Sequence, residues 1–403
     1  MKVCLHTTHQ ITQNYIGGTE RFLIKIAKEL KLLGWDTFIV CSSTTPVTYV
    51  EEIKVLGKIP KEYCKNVVKY HKFNYDFLKR EVLGNHVHPY DTALKLSSYV
   101  SQQLEGIEAD LYHFNSFLSA SYLDSIQFKN FIITNHENDA EMDFFWGKDF
   151  FYSFSQLVKE RILKLQNAKG LYVPSKYYSH FFSNMFSLPV QAIKLGVLLN
   201  DFPSNFIKNL SRREQYFGNN DGFVILLPSR LNVLQKGHDI ALEACQILKN
   251  TEMKFRLIIT GLGKSSEEEI ILFRKRIKDY NVEDLVILSS YGDILNAYRE
   301  CDVVISPERY CSYGLSISES LSLGIETVLS DIPTYREIAS SYKHAHFFEN
   351  GNPKALSEQL LLLWNKHKSD NRQDMIRFRI NNDIRDCAKL YSSIYDKILI
   401  NEN

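Results

Sequence analysis

Three stretches at the start of the chain decide the fold: KVCLHTT (2–8), GGTERFLIKIAKELKLLGW (17–35) and DTFIVCS (36–42). The first and third are short apolar runs, which are typical of buried β-strands. The middle stretch places six apolar residues on one helix face, namely Phe22, Leu23, Ile26, Ala27, Leu30 and Leu33. Strand, helix and strand in this order form a βαβ unit, which predicts a parallel sheet.

The same alternation continues along the chain, with a helical stretch expected around 150–167. Further strand-like runs of the first half are ADLYHFNS (109–116), KNFIITNHE (129–137), KGLYVPS (169–175) and VQAIKLGV (190–197). Residues 200–221 are polar and lack a clean period, which indicates a linker. A second series of strand-like runs comprises GFVILLPSR (222–230), KFRLIITG (254–261), DLVILSS (284–290), DVVISP (302–307) and ETVLSD (326–331).

We therefore expect an α/β protein with two Rossmann-like, doubly wound parallel-sheet domains that face a central cleft. A chain of 403 residues is too long for a single core, which supports two domains. The predicted domains are residues 1–205 and 206–384, with a C-terminal helix of about 385–403 that packs back on the first domain.

Composition narrows the class of protein. The apolar fraction of 44%, the charged fraction of 24% and the net charge of +1 are ordinary for a soluble protein and do not favour nucleic acid as a partner. The seven cysteines are scattered, without a C-x-x-C pair, which favours a reducing compartment without disulfides or a thiolate zinc site. We expect a cytoplasmic protein, with peripheral membrane contact as a further possibility.

Ligands of doubly wound sheets bind at the carboxyl ends of the strands, so the loops there are the candidate site. In NYIGGTE (14–20), Gly17 and Gly18 precede a helix N-terminus and would let the backbone approach a bound anion closely. Alternatively, the glycines are present only because the loop requires a positive φ. In LLPSRLNVLQKGHD (226–239), Arg230 and Lys236 would clamp a pyrophosphate, or they are two solvated surface cations.

Two later loops add candidates. IITGLGKSSEEE (258–269) lacks the third glycine of the dinucleotide fingerprint, so Gly261 and its neighbour Gly263 predict only room for a nucleotide. RYCSYGLSISESL (309–321) holds one acid, Glu319, near a helix N-terminus. A carboxylate there would accept hydrogen bonds from ribose hydroxyls. Alternatively, it would only stabilise the helix through its interaction with the helix dipole and would bind no ligand.

These loops occur in the order and spacing of a known family. SRLNVLQKGHDIALEA (229–244) resembles the R-x-(4–5)-K-G-x-D loop of the retaining GT-B glycosyltransferases of family 4, also described as glycosyl transferases group 1. The segment 297–338 resembles the E-x7-E donor segment of that family. The likeness is best over 222–350. It is looser in the first half, where GGTER, ADLYHFNS, TNHE and LGVLLNDF carry it.

The resemblance implies roles for the donor-binding residues. Arg230 and Lys236 would bind the donor diphosphate, and Glu319 would bind the ribose hydroxyls. Gly314 and Leu315 would give backbone N–H groups to the sugar and the distal phosphate.

It also implies roles nearer the reaction centre. Gly17 and Gly18 would close over the donor from the first domain, and His136 would line the reaction centre and orient the sugar. Cys311 occupies the place of the family's first glutamate, where a neutral thiol cannot accept two strong hydrogen bonds from the donor sugar. Glu308, three residues upstream, is a possible substitute.

The activity implied is transfer with retention from a UDP- or GDP-linked sugar, without a dedicated metal. A lipid-linked or cell-envelope glycan, as in lipopolysaccharide or capsule, would be the acceptor. Residues 54–80, with eight basic and two acidic residues, would bind an anionic membrane surface or would form a solvated insertion. The aromatic residues of 142–154 would contact an apolar acceptor or would belong to the core. The alternatives are a protein that binds nucleotide or glycan without transfer, and a nucleotide-sugar epimerase or hydrolase.

Overall fold

The structure is a computed structural model with two compact units. It describes residues 1–11, 18–61, 63, 98–115, 130–136, 168–184, 189–209, 213–218, 222–262, 265, 267–289, 294–366 and 370–400. The first unit comprises Met1–Gly196 and Ile384–Asn403, and the second comprises Val197–Asp383. The sequence-based boundaries lay after residues 205 and 384.

The first unit contains an eight-stranded sheet in the order β3-β4-β2-β1-β5-β6-β7-β8. Its elements are β1 (Lys2–His6), α1 (Gly18–Leu32), β2 (Asp36–Cys41), β3 (Val47–Val50), β4 (Ile53–Gly57), β5 (Leu111–Phe114), β6 (Phe131–Thr134), β7 (Ala168–Val173), α2 (Lys176–Ser183) and β8 (Val190–Ala192). The strands pair in parallel, except for β3, which is antiparallel to β4.

The second unit contains a six-stranded, fully parallel sheet in the order β11-β10-β9-β12-β13-β14. Its elements are α3 (Arg213–Phe217), β9 (Phe223–Leu227), α4 (Val233–Lys236), α5 (His238–Leu248), β10 (Phe255–Ile259), α6 (Glu267–Asp279), β11 (Val286–Leu288), α7 (Ile294–Glu300), β12 (Val303–Ser306), α8 (Leu315–Ser322), β13 (Glu326–Ser330), α9 (Pro333–Ala339), β14 (Ala345–Phe348), α10 (Pro353–Asn365) and α11 (Arg372–Asn381). The last helix, α12 (Ile384–Ile400), belongs to the first unit and packs on α1.

The predicted architecture of two parallel-sheet α/β domains is confirmed, with three local differences. The hairpin β3–β4 was not predicted, because its short strands turn on the positive-φ residues Glu51 and Glu52 rather than on a glycine. Strand β14 was missed as well. Leu33 is 44% exposed, since α1 ends at Leu32 before it can reach the apolar face.

The stretch 200–221, interpreted as a linker, contributes structure to the second unit. It contains α3. Lys208 forms an ion pair with Asp302, with Nζ and Oδ1 3.3 Å apart, and Arg379 donates a hydrogen bond to the carbonyl of Phe202. The stretch is therefore bonded to the rest of the second unit. The helix expected at 150–167, the aromatic stretch 142–154 and residues 64–80 of the basic stretch lie outside the described residues.

No helix among the described residues is long and apolar enough to cross a membrane. The six described cysteines are all buried and unbridged.

Gly237, between α4 and α5, is a position where the fold requires glycine. Its φ is +65°, and a Cβ there would lie 1.9 Å from the carbonyl oxygen of Pro307, at the end of β12. Any side chain would push this loop off the sheet.

Replacing Gly237 by alanine is therefore expected to lower the free energy of unfolding by about 3 kcal/mol or more, measured by urea denaturation. Gly351→Ala is the matched control, because Gly351 has a similar φ of +81° but open space around its Cβ position. Its cost should be about 1 kcal/mol, from the left-handed conformation alone. Equal costs for the two variants would contradict the packing explanation.

Two buried histidines, His113 and His6, are expected to make the fold sensitive to acid. The ring of His113 is fully enclosed, with Nδ1 2.6 Å from the hydroxyl of Tyr395 and Nε2 2.7 Å from that of Thr134. Burial, with a smaller effect of His136, lowers the pKa of His113 to about 3, and burial lowers the pKa of His6 to about 4. The unfolded chain binds protons at these sites near pH 6.5, whereas the folded chain does not.

The free energy of unfolding is therefore expected to have its full value above about pH 6.5. It should decrease as the pH falls towards 4, by about 1.4 kcal/mol per pH unit for each such histidine. Melting temperatures measured between pH 4 and 8 would show this slope. His113→Gln should be less stable at pH 7 but should show a shallower slope below pH 6.5. An unchanged slope would show that His113 does not contribute.

Candidate functional site

The predicted donor residues of the second unit lie along one edge of its sheet. Strand β9 is flanked by β10 and β12. Because the three strands are parallel, the loops that follow them emerge at the same, carboxyl edge. These loops carry Arg230, Gly261 and Cys311.

The loop after β9 is ordered by its own side chains. Asn232 caps the single turn of α4, with its side-chain oxygen accepting from the N–H of Gln235 at 3.2 Å. Arg230 is exposed, and its Nη2 lies 3.4 Å from the side-chain oxygen of Gln235. Gly261 packs on this loop, since a Cβ there would come within 2.4 Å of the carbonyl oxygen of Ser229. The loop thus holds a solvent-accessible cation at the edge of the sheet.

Lys236, the second predicted cation, is engaged by an acid. Its Nζ lies 2.7 Å from Oε2 of Glu308, and the lysine and glutamate side chains are 17% and 5% exposed. Burial, the largest single effect, favours the neutral amine, but the opposing effects, led by the Glu308 carboxylate, together raise the pKa of Lys236. Lys236 is therefore a charged, sheltered ammonium and not a solvated surface cation.

The loop after β12 is tied to the Lys236 loop. The guanidinium of Arg309 makes a two-pronged ion pair with Asp239 of α5, at 2.9 and 2.7 Å, and its backbone N–H donates to the carbonyl of Gln235 at 3.0 Å. Asp239 is the acid of the K-G-x-D pattern. In this chain it fixes one loop to the other.

Cys311 lies in this fixed loop as a neutral thiol. Burial, and then the Glu308 carboxylate, raise the pKa of Cys311 to about 12. Tyr335 of α9 is a hydrogen-bond partner of the thiol, and its hydroxyl also lies 2.7 Å from that of Ser306. The thiol is enclosed and unionised, so the carboxylate of this neighbourhood is that of Glu308.

Helix α8 presents its N-terminus at the same edge. Gly314 caps it with φ +96°, where a Cβ would lie 2.8 Å from the Tyr335 ring, and Leu315 is the first helical residue. Glu319 is only 4% exposed, and its Oε2 accepts from the hydroxyl of Tyr298 at 2.9 Å. Glu319 is the fifth residue of α8 and therefore lies beyond the first turn, where a helix dipole most favours an acid.

The first unit gathers a second set of polar side chains where β1, β5 and β6 end. His136, partly buried after β6, has Nε2 3.2 Å from the side-chain oxygen of Asn115 and packs edge-on against Phe22. Burial, and then His9, lower the pKa of His136 to about 3. His9 itself pairs with Glu20 of α1, with Nδ1 and Oε1 3.0 Å apart.

The structure thus brings Arg230, Lys236, Gly261, Cys311, Gly314, Leu315 and Glu319 to the carboxyl edge of the second sheet. His136 and the exposed Gly18 lie in the first unit, whereas Gly17 and Gly263 lie outside the described residues. Sequence reasoning did not identify Tyr298, Tyr335 or the role of Glu308 as the partner of Lys236. Within the described residues, no three His, Cys, Asp or Glu side chains come together to hold a metal ion.

Comparison with solved structures defines the fold. Sucrose-phosphate synthase from Thermosynechococcus elongatus superposes with a TM-score of 0.76 over 99% of both chains, at 14% identity. Anabaena Alr3699/HepE, determined with UDP and glucose, gives a TM-score of 0.66 over 98% of this chain and 100% of that one, also at 14% identity. The two α/β units therefore have the GT-B fold.

The family match concerns the second unit. Residues 210–378 match the family described as Glycosyl transferases group 1. Mannosylfructose-phosphate synthase from Agrobacterium fabrum is 28% identical over 117 residues, which are 27% of this chain and 26% of that protein. The chain thus spans about a quarter of the length of that relative, and the matched family segment contains the edge loops described above.

Proposed function

We propose that the protein is a retaining glycosyltransferase of family 4 that transfers a sugar from a UDP- or GDP-linked donor to a glycan. The observation that carries the proposal is the carboxyl edge of the second sheet, where Arg230 and Lys236 lie on one loop and the buried Glu319 on the helix of a neighbouring one. Cations for a diphosphate and a carboxylate for a ribose are what a nucleotide-sugar requires.

The donor would bind along this edge. Arg230, exposed and planar, suits a bidentate contact with the diphosphate, whereas Lys236 supplies a point charge. Gly261 leaves room for the nucleotide beside Ser229 and Arg230. The first backbone N–H groups of α8, at Gly314 and Leu315, would donate to the distal phosphate and the sugar.

The chemistry would rest on positioning and charge. As the bond to the anomeric carbon breaks, negative charge develops on the departing nucleoside diphosphate, and Arg230 and Lys236 would stabilise it. His136, with its pKa lowered to about 3, is neutral at physiological pH and too weak a base to remove a proton from the acceptor. We assign it to orienting the donor sugar. No metal or other cofactor is required by this scheme.

The acceptor and the cellular site are further parts of the proposal. A lipid-linked or cell-envelope saccharide would be the acceptor, as in lipopolysaccharide or capsule synthesis, with the enzyme in the cytoplasm and peripherally on the membrane. The basic residues of 54–80 and the aromatic residues of 142–154 support this part. A net charge of +1 does not favour nucleic acid.

The test is release of nucleoside diphosphate from a panel of UDP- and GDP-sugars, with and without a bacterial lipid or glycan extract. Release from one donor that depends on the extract, with the anomeric configuration kept in the product, is expected. Release without extract would favour an epimerase or hydrolase. Binding of nucleotide without any release would favour a protein that binds its ligands without transfer, and Cys311→Glu would then show whether the thiol is the cause.

A further inference from the structure

Glu308 is a buried acid to which the proposed reaction gives no role. It is 4% exposed and follows Pro307 at the carboxyl end of β12. Its Oε2 is bonded to Lys236, and its Oε1 lies 3.4 Å from the hydroxyl of Ser306. That hydroxyl is in turn 2.7 Å from the hydroxyl of Tyr335. Glu308 is thus anchored on one oxygen and presents the other to the ammonium.

The partner of Glu308 is the cation assigned to the donor diphosphate. Among the described residues, Glu308 is the acid that pairs with Lys236, and the lysine side chain keeps 17% exposure. An ammonium has three N–H donors, and one of them is occupied by this pair. An incoming diphosphate must share Lys236 with a carboxylate that repels it.

We propose that Glu308 is an internal counter-ion that competes with the diphosphate for Lys236 and so limits how tightly the nucleotide is held. The inference rests on the proposed function, because it needs a diphosphate at Lys236. Without the Glu308 carboxylate, the mostly buried ammonium of Lys236 would have no anionic partner, which is unfavourable. A bound diphosphate would then supply the missing negative charge. Moderate affinity favours release of the nucleoside diphosphate after each transfer, and product release limits many enzymes.

Glu308→Gln is expected to tighten the binding of a diphosphate. The amide keeps the shape and the anchoring to Ser306 but removes the charge that opposes the ligand. Inorganic pyrophosphate, UDP and GDP should bind this variant about tenfold more tightly than the wild type, as measured by calorimetry. The variant should be less stable than the wild type without ligand and should recover on adding pyrophosphate, because a ligand stabilises the state that binds it.

Two further variants make the result specific. In a Lys236→Ala background, Glu308→Gln should tighten binding by no more than about twofold, since only the direct repulsion between Glu308 and the diphosphate is left to relieve. Asp302→Asn is the matched control, because Asp302 lies before the other end of β12 and also pairs with a lysine, Lys208 at 3.3 Å. It removes one carboxylate charge from the same unit and should leave affinity within about twofold.

Each outcome decides the matter. About tenfold tighter binding by Glu308→Gln that falls to about twofold or less in the Lys236→Ala background supports the inference, whereas full tightening in that background overturns it. Unchanged or weaker binding, no binding by the variant, or equal tightening in Asp302→Asn overturns it. If binding tightens as expected but no donor is ever turned over, the competition stands and the proposed transferase function fails. If donor is turned over and binding does not tighten, the function stands and the competition fails.

Discussion

Replacing Arg230 by alanine is expected to lower kcat/KM for the donor about a hundredfold, and replacing Lys236 as well is expected to lower it by about three to four orders of magnitude in total. Both cations would face the leaving diphosphate, so their loss removes stabilisation that grows as the bond breaks. Arg230 is exposed at the sheet edge, so its removal opens no cavity in the core. Initial rates of nucleoside diphosphate release would measure the effect.

Folding must be separated from chemistry in this experiment. Arg230→Ala should unfold at the wild-type urea concentration, whereas Lys236→Ala leaves the buried Glu308 unpaired and should be destabilised by about 3 kcal/mol or more. Lys208→Ala removes the lysine that pairs with Asp302, the residue before β12, and should keep activity within about twofold. Full activity of the Arg230→Ala variant would contradict the proposal that Arg230 binds the donor diphosphate.

Replacing Glu319 is expected to weaken binding of the donor strongly. If its carboxylate accepts hydrogen bonds from both ribose hydroxyls, Glu319→Ala should raise KM for the donor about a hundredfold and Glu319→Gln about tenfold, because an amide oxygen accepts but carries no charge. The glutamine variant keeps an acceptor for the hydroxyl of Tyr298, which bonds Glu319 at 2.9 Å. Steady-state kinetics with the donor found in the panel would measure these changes.

A modified donor separates ribose binding from a structural role. The wild type should use a 2′-deoxyribose donor about tenfold less well, whereas Glu319→Ala should use both donors equally poorly. Tyr298→Phe removes the hydroxyl that bonds Glu319 and should keep the discrimination. If Glu319→Ala still discriminates against the deoxy donor, Glu319 does not touch the ribose and serves only to bond Tyr298.

The strand positions of the second unit could be read from the sequence because a fully buried parallel strand is a continuous apolar run. VVIS in β12 is buried at all four positions, and it was predicted. Strands β3 and β14 were missed for the opposite reason. Both are only partly buried, and the polar residues Thr48 and His346 interrupt their short apolar runs.

The candidate residues could be found, but their partners could not. A cation or an acid at a strand end is visible in the sequence, since the carboxyl edge of a parallel sheet is where ligands bind. The link between Lys236 and Glu308 joins residues 72 positions apart, and that between Tyr298 and Glu319 joins residues 21 apart. Such pairs depend on the order of strands in the sheet, which local spacing does not reveal.

Cys311 lies near a carboxylate, that of Glu308, in the folded protein. From sequence, a thiol at this position raised doubt about the grip on the donor sugar. In the fold, the thiol is enclosed beside Tyr335, while the Glu308 carboxylate lies nearby on Lys236. A carboxylate, that of Glu308, is therefore present near Cys311, but it is already paired with Lys236. The properties of Glu308 and Cys311 thus have to be measured together.

A crystal structure with UDP or GDP bound would show whether the carboxyl edge of the second sheet is the donor site. We expect the diphosphate within hydrogen-bonding distance of Arg230 and Lys236, and both ribose hydroxyls on Glu319. We also expect the first N–H groups of α8 to point at the distal phosphate. A nucleotide bound elsewhere on the protein, with Glu319 bonded only to Tyr298, would contradict the assignment of this sheet edge as the donor site.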